Sequence, residues 1–457
     1  MVFAFGLHLH DSNGLLQMIL ILAAMSFWPQ FRRPLLTVGT IYWLISQHTN
    51  LNWDLLRNIF DEQGLAITTN WFSFWISLIV TAILFCALFH YLVQRSHGTW
   101  LYRRPVTTLL VGYVVLLTIA SYAPLSPIQQ AYLWGFLIVL GRFLWYLGYT
   151  LLDRNAVPGT KFIYQLGHYL PFWGGSSTPF PKGAAYLRKI EAKNAEELAI
   201  SQLKGIKLIF WAFFLYIILR VFEMVVYGKT IYNVALPIHL NIPSFWDAFT
   251  HAQSGESYPW YINWAVVLAN FLKGMLSLSI WGHIIIATCR MAGFKALRNT
   301  WRPLQSKTIA EFWNRYYYYF KELLVEFFFY PTYLRFFKTK PRLRMFMATM
   351  AAAGMGNVLY HFIRDIDYIV KLGIWEALMA FQVYLFYGLL LGTAIGLSQL
   401  RNQNRKQNTH WLNTYIAAPI TVIGFYCILH IFDSPNREYG LNAYFTFLMS
   451  MINVGTI

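Results

Sequence analysis

The chain of 457 residues is strongly apolar and carries little charge for its length. Hydrophobic residues make up 57% of it and aromatic residues 19%, whereas charged residues make up only 12%, about half the share that is typical of soluble globular proteins. This composition excludes an ordinary water-soluble fold. The three cysteines match neither a disulfide framework nor a metal-ligand spacing. A lipid-embedded chain can place all its residues in one bundle, so we predict a single membrane domain over residues 1–457.

Long apolar runs with few charges indicate helices that cross the membrane. The strongest runs are residues 71–93, 129–152, 261–289 and 374–398. Each is long enough to cross roughly 30 Å of hydrocarbon, and none alternates with the period of a barrel strand. Shorter or weaker runs are residues 15–31, 34–46, 106–122, 207–227, 345–363, 413–432 and 441–457. The sequence therefore predicts an all-α polytopic transmembrane helical bundle of about eleven spans.

The Lys and Arg residues are concentrated in every second loop. Most of the 36 fall in residues 32–33, 95–104, 153–207, 290–344 and 401–406. Because these residues collect on the cytoplasmic side, the pattern predicts an amino terminus outside and a carboxyl terminus in the cytoplasm. No Lys or Arg precedes the first apolar run, which is therefore expected to remain as a span rather than be cleaved as a signal. This topology accounts for the net charge of +17 without a nucleic-acid partner.

Two long basic stretches differ from simple connectors. Residues 170–183 are rich in Gly, Ser, Thr and Pro, and residues 184–205 predict an amphipathic helix at the membrane interface. Residues 291–344 mix apolar, aromatic and basic side chains without one clean span, as expected for a re-entrant or surface-lying segment. Irregular backbone at membrane depth is tolerated where it is buried in protein or lines a cavity. A functional site is therefore expected in these stretches.

Residues 293–365 carry the motifs that point to a family. In chain order these are Asn299 with Arg302 and Pro303, the run SKTIAEFWNR at residues 306–315, the run FYP at residues 329–331, and His361 in a helix of small and apolar residues. They resemble the "NFNRPY", "S-x-x-x-FW-x-R" and "Y-x-P" elements and the near-invariant histidine of the membrane-bound O-acyltransferase superfamily. The likeness is to its bacterial branch, which includes alginate O-acetylation proteins and the D-alanyl transfer protein of teichoic acid modification. A looser resemblance extends over residues 171–183 and 203–221.

The resemblance implies a catalytic core segment at residues 290–365, with His361 as the active-site residue. An ionisable group inside a span is costly and marks a site by default. A histidine with a pKa near 6.5 is also suited to take a proton from a hydroxyl. The alternative is a packed histidine, because other histidines lie in comparable apolar settings, namely His90, His283 and His430.

Further polar residues in this segment are candidates for binding substrate. They are Arg302, Asn314, Arg315, Tyr317, Arg364 and Asp365. Arg364 and Asp365 could bind a polar acceptor or simply pair with each other. Residues 312–321 are expected to form one helix, and residues 350–356 a face of small side chains for another helix or an acyl chain. No metal site and no bound cofactor are predicted.

Three positions depart from the family pattern. Tyr317 stands where the bacterial branch usually has a second histidine, Tyr360 where it has a tryptophan, and Phe362 where it has a glycine. These departures leave the second polar site, and with it the acceptor, open. They also keep a non-catalytic scaffold among the alternatives.

The resemblance implies transfer of an acyl group from an acyl-CoA or acyl-carrier thioester to a hydroxyl. The expected acyl group is acetyl. The donor would enter from the cytoplasm of a bacterial inner membrane, and the acceptor would be an extracytoplasmic polysaccharide or cell-envelope component. A second acyltransferase protein could complete the transfer. Two alternatives stay open. One is a lipid acyltransferase that uses a long-chain acyl-CoA and a membrane lipid, and the other is a transporter or scaffold, whose function should survive loss of His361.

Overall fold

The structure is a computed structural model that describes residues 12–46, 53–65, 70–153, 166–167, 171–173, 182–403, 411–433, 436 and 438–452. Its described part is helical, with two isolated β-bridges and no strand. The predicted all-α class is therefore confirmed. Residues 1–11 and most of the Gly-rich loop at 170–183 lie outside the described residues.

Twenty-one α-helices form in the described part of the chain. Up to residue 291 they are α1 Ser12–Phe27, α2 Arg32–Ser46, α3 Trp53–Glu62, α4 Trp71–Arg95, α5 Trp100–Arg103, α6 Pro105–Tyr122, α7 Pro127–Leu152, α8 Ala184–Ile190, α9 Ala195–Tyr227, α10 Phe245–Gln253 and α11 Trp260–Met291. After it they are α12 Ile309–Tyr316, α13 Tyr318–Leu324, α14 Tyr330–Arg335, α15 Pro341–Thr349, α16 Asn357–Arg364, α17 Asp367–Leu372, α18 Ile374–Ala380, α19 Gln382–Gln403, α20 Ala418–Ile431 and α21 Leu441–Ser450.

Short segments of other helical types interrupt this order. A first π segment, Val325–Phe329, joins α13 to α14, and a second π segment, Met350–Gly356, joins α15 to α16. A third, Asn413–Ala417, leads directly into α20. Turns of 3₁₀ helix occur at Pro29–Phe31 and Pro303–Gln305.

Several helices are long and apolar enough to cross a membrane. They are α4, α6, α9, α11, α19 and the helix of residues 413–431. Two bent pairs raise the number from 6 to 8: Gly14–Phe27 with Pro29–Ser46, bent by 112°, and Pro127–Gly141 with Phe143–Leu152, bent by 55°. The protein is thus an integral membrane protein, with six to eight candidate spans among the described residues.

Three predicted spans have a different structure. Residues 374–398 are divided between α18 and α19 by a break at Phe381. Residues 345–363 fall in α15, the second π segment and α16 rather than in one regular helix. In the described part of residues 441–457, only the 10 residues of α21 are helical, too few to cross roughly 30 Å.

The predicted interfacial helix at residues 184–205 is also divided. The Asn194 Oδ1 accepts a hydrogen bond from the Glu197 backbone N at 2.8 Å, and the Glu197 carboxylate accepts one from the Lys193 N at 2.9 Å. This reciprocal capping begins α9, which then continues to residue 227. The prediction of one separate helix over residues 184–205 is therefore wrong, because residues 195–205 continue into the apolar helix that ends at Tyr227.

Contacts divide the chain into two compact units. The first unit consists of Met1–Gly205, Ala287–Ala296 and His361–Ala377, and the second of Ile206–Ile286, Leu297–Tyr360 and Leu378–Ile457. The expected catalytic core segment, residues 290–365, contributes to both units. The single domain expected for residues 1–457 stays a prediction.

A buried arginine ties together separate parts of the first unit, in which α7 packs against α4 and α6. Arg32 is only 3% exposed, and its Nη1 donates to Glu191 Oε1 and to the Ala192 carbonyl, both at 3.2 Å. Residues 190–192 pair in turn with the backbone of residues 293–295. Because a buried charge is costly without such partners, these contacts fix the loops onto the start of α2.

Glycines allow close packing in the second unit, where α19 lies against α15 and the second π segment. A methyl group on Gly392 would lie 3.0 Å from the backbone N of Gly354, and one on Gly388 would lie 2.6 Å from a methyl of Val358. The small-residue face predicted at residues 350–356 is therefore covered at Gly354 by a neighbouring helix.

Candidate functional site

His361, Arg364 and Asp365 lie together at the carboxyl end of α16, in the first unit. The half-buried His361 accepts a hydrogen bond at its carbonyl from the Asp365 N at 2.9 Å. Arg364 donates from Nε to Asp365 Oδ1 at 2.7 Å and from Nη2 to Oδ2 at 3.1 Å. Of the two roles expected for these residues, mutual pairing is thus present, and both charges beside His361 are neutralised.

Packing holds this helix end against α7. Ile363 is 4% exposed, and a methyl group on Gly141 would lie 3.4 Å from the Ile363 carbonyl. The Tyr113 hydroxyl, which would lie 3.0 Å from the same methyl group, donates to the Leu137 carbonyl at 3.2 Å. Gly141 therefore allows the close approach that orients the last turn of α16, and with it His361.

Asn357 is a buried polar residue that the sequence motifs do not include. It lies fully buried in the second unit, and its Oδ1 accepts a hydrogen bond from the Tyr384 hydroxyl at 3.3 Å. Its Nδ2 has no acceptor among the described residues, which leaves a buried donor for a bound polar group. Its position four residues before His361 in α16 is the signal that could have found it.

The motif residues of the second unit lie on two neighbouring stretches of backbone. The Trp301 N donates to the Arg315 carbonyl at 2.7 Å, and the Tyr318 N donates to the Asn299 carbonyl at 3.0 Å. The Asn299 Oδ1 also accepts from the Tyr319 N at 3.2 Å. Asn299 therefore accepts hydrogen bonds from the first two backbone N–H groups of α13. The side chain of Tyr317, the residue just before α13, does not cap this helix.

The expected single helix over residues 312–321 is broken. α12 ends at Tyr316, Tyr317 has φ −139° and ψ 62°, and α13 begins at Tyr318. The prediction is wrong because Asn299 accepts hydrogen bonds from the backbone N–H groups of Tyr318 and Tyr319, so that a second helix begins there. Phe312 stays fully buried, with its ring centroid 4.0 Å from that of Tyr426.

Arg302 is exposed and lies beside an aromatic ring. It has φ +47°, and its guanidinium carbon lies 4.9 Å from the centroid of Trp301. Arg298 approaches the same ring to 4.8 Å. Partial burial lowers the pKa of Arg298, and the nearby charge of Arg302 lowers this pKa further. Two cations on one indole form a positively charged surface that suits an anionic group.

The other three candidate residues differ in the contacts that their side chains make. Arg315 forms an ion pair with Glu311 at 2.6 Å within α12. Tyr317 is half-buried, with its ring centroid 5.4 Å from that of Phe320. Asn314 is exposed and makes no side-chain hydrogen bond within the described part of the chain. Asn314 is thus the one of these three whose polar atoms are open to a substrate.

An apolar cavity of about 440 Å³ lies in the second unit. It is lined by Thr332, Phe336, Phe337, Phe346, Met347, Met350, Ala351 and Met355. Basic residues flank the two phenylalanines in the sequence, at Arg335, Lys338 and Lys340. A cavity with this lining could hold an acyl chain, with an anionic group near the basic residues.

No group of three His, Cys, Asp or Glu residues that could hold a metal ion occurs in the described part of the chain. No protein-family model matches the chain, and no curated protein matches it. Membership of the chain in an acyltransferase family, which residues 293–365 suggest, is therefore a proposal.

Replacing Asn299 with alanine should lower the free energy of unfolding by about 1–2 kcal/mol, because α13 loses the side-chain acceptor at its start. Thermal unfolding of the full chain in detergent, followed by tryptophan fluorescence, measures the change. Asn314→Ala removes the same side chain from an exposed position and should leave the transition within the error of the wild type. Equal losses in both variants would contradict the capping role of Asn299.

Proposed function

We propose that the protein is a membrane-bound O-acyltransferase in which His361 acts as general base. The observation that carries this proposal is the setting of the motif histidine: it is half-buried in the last turn of α16, after a π segment and a buried amide. Segments of π helix are frequent at functional sites, and an ionisable group in a membrane protein's helical interior is seldom there for packing alone. The motifs around Asn299 and Asn314 support the same family.

The proposed reaction moves an acyl group from a thioester to a hydroxyl. The His361 imidazole takes the hydroxyl proton while the oxygen attacks the thioester carbonyl carbon. The new C–O bond forms, the C–S bond breaks, and the departing thiolate takes up the proton. The buried Asn357 amide, four residues before His361 on the same helix, is the donor suited to orienting a substrate. The reaction needs no bound cofactor, because the thioester is itself a substrate.

The proposal includes the finer topology expected from the sequence. Eleven spans would place the amino terminus outside and the carboxyl terminus in the cytoplasm of a bacterial inner membrane. The basic loops would then attract an anionic acyl-CoA or acyl-carrier donor. The acceptor would be an extracytoplasmic polysaccharide or cell-envelope hydroxyl, and a second acyltransferase protein could complete the transfer.

The apolar cavity of the second unit favours a second candidate. Its lining is almost entirely apolar, which suits a long acyl chain better than an acetyl group. In this version of the proposal the donor is a long-chain acyl-CoA and the acceptor is a membrane lipid. The two versions differ in the length of the transferred chain and in the fraction of the envelope that carries the ester.

The test measures base-labile esters on glycans and lipids from cells that lack the gene. The cells are complemented with wild type, His361→Ala or His251→Ala, at equal membrane abundance. His251, on the surface of α10, is a matched control because its side chain is 39% exposed. Wild type and His251→Ala should restore the ester, whereas His361→Ala should slow its formation by about 100-fold or more.

Each outcome has a distinct meaning. Acetyl ester on glycans supports the polysaccharide version, and long-chain ester on lipids supports the lipid version. Full restoration by His361→Ala would exclude the proposed mechanism and favour a transporter or a scaffold.

A further inference from the structure

A buried glutamate in the second unit gathers three cations at one end of α9. The Glu223 carboxylate accepts from Arg220 Nη1 at 2.6 Å and from Lys229 Nζ at 3.3 Å, and Lys273 Nζ lies 3.7 Å away. The glutamate side chain is 5% exposed, whereas those of the cations are 37%, 51% and 40% exposed, in the same order. These four groups, which we call the Glu223 cluster, carry two net positive charges.

Aromatic rings hold the three cations in place. The Arg220 guanidinium carbon lies 4.7 Å from the ring centroid of Tyr216. Lys229 and Lys273 approach the ring of Tyr227 to 5.9 Å and 5.6 Å. Such contacts orient the cations without neutralising them. The Arg220 Nε is in addition buried without an acceptor among the described residues, which leaves a donor suited to an anionic group.

The position of the cluster along α9 suits the depth of lipid headgroups. Residues 208–219 of α9 are uncharged, and at about 1.5 Å per residue Glu223 lies roughly 24 Å along the helix from Lys207. α11 runs alongside, with Ile280 against Ala212 and Lys273 beside Glu223. Because the hydrocarbon layer is about 30 Å thick, the cluster falls near its boundary opposite Lys207.

The loop that follows α9 is unusually apolar for an exposed segment. Its side chains Tyr232, Val234, Ile238 and Leu240 are all exposed. Two backbone hydrogen bonds of 2.8 Å, from the Leu240 N to the Val225 carbonyl and from the Ile242 N to the Val226 carbonyl, return this loop to the end of α9. Apolar side chains beside a cationic cluster fit the interface of a bilayer rather than bulk water.

We propose that Arg220, Lys229 and Lys273 bind the phosphate headgroup of an anionic phospholipid. The two uncompensated charges favour a lipid with a net negative charge, because the ammonium group of a zwitterionic lipid would add a further cation. The exposed loop side chains contact the acyl chains or the interface of the same lipid. This site is independent of the acyltransferase proposal and uses none of its residues.

The test compares lipid-dependent stabilisation of the full chain. Wild type and the variant Lys229→Gln/Lys273→Gln are purified in a neutral detergent and titrated with phosphatidylglycerol, phosphatidylcholine or inorganic phosphate. Lys204→Gln/Lys207→Gln removes the same two charges from exposed positions on α9 and serves as the control. The wild type and the control should show a Tm rise with phosphatidylglycerol several degrees larger than with phosphatidylcholine. The cluster variant should lose most of that difference.

For each variant, the Tm rise with phosphatidylglycerol is compared with the Tm rise with phosphatidylcholine. A general loss of stability therefore does not produce the expected loss of this difference. Lys273→Arg, which keeps the charge, should retain the preference. If the double variant does not fold, Lys273→Gln is compared with wild type by native mass spectrometry for retained phosphatidylglycerol. An unchanged preference in the cluster variant, or no preference in the wild type, would overturn the proposal. An equal effect of inorganic phosphate would assign the cluster to a soluble anion instead.

Discussion

Replacing Gly392 with valine is expected to lower the free energy of unfolding by about 3 kcal/mol, because there is no room for a side chain between α19 and the second π segment. Even a methyl group on Gly392 would lie 3.0 Å from the backbone N of Gly354 and from the Met350 sulfur. Backbone cannot withdraw as a flexible side chain can, so the two helical segments must separate. The measurement is the yield of monodisperse full-length protein in detergent, together with its unfolding midpoint.

The matched control is Gly424→Val in α20. A methyl group on Gly424 would meet no atom of the described residues within 4 Å. Both variants add the same β-branched side chain to a helix, so any cost of the residue type itself is shared. The control should behave like wild type. If both variants lost the same stability, steric contact at Gly392 would not be the cause.

The second large effect is expected for Asp365→Ala, which should cost about 3 kcal/mol because it removes the acceptor of a largely buried pair. The aspartate side chain is 6% exposed and that of Arg364 is 17% exposed. The variant leaves the guanidinium without its bidentate carboxylate in a position that water reaches poorly. Thermal unfolding in detergent gives the size of the loss.

The double variant Arg364→Leu/Asp365→Leu separates pairing from binding. Removing both charges restores most of the stability if the two residues serve each other, since a buried pair can be replaced by apolar side chains at little cost. A stable double variant that no longer forms ester would then assign the pair to the acceptor. A double variant less stable than Asp365→Ala would show that the pair has further structural partners.

Spans that depend on composition alone could be predicted from the sequence. The run at residues 71–93 becomes α4, which begins where the Asn70 side chain accepts a hydrogen bond from the Phe72 N. The run at residues 261–289 becomes α11. In both, an uninterrupted apolar sequence must satisfy its backbone internally, so the helix follows from local physics.

The details of the candidate site depend on residues distant in sequence. The break at Tyr317 exists because Asn299 supplies hydrogen-bond acceptors to the backbone of Tyr318 and of Tyr319, which lies 20 residues downstream of it. The local sequence does not predict this contact, because residues 312–321 have the pattern of one continuous helix. The burial of Asn357 likewise depends on α19, whose Tyr384 supplies its hydrogen bond.

The second π segment gives the chain room for an extra residue between α15 and α16. A π turn holds more residues than an α turn, so the segment takes up an inserted residue locally and residues 357–364 keep their faces. Removing one residue from Met350–Gly356 should therefore restore α-turns there and leave the face of His361 nearly unchanged. Removing one residue within α16 ahead of His361 would instead rotate the imidazole by about 100°, the angle between successive residues of an α-helix. Changes of chain length are thus expected to be tolerated in the π segment and not in α16.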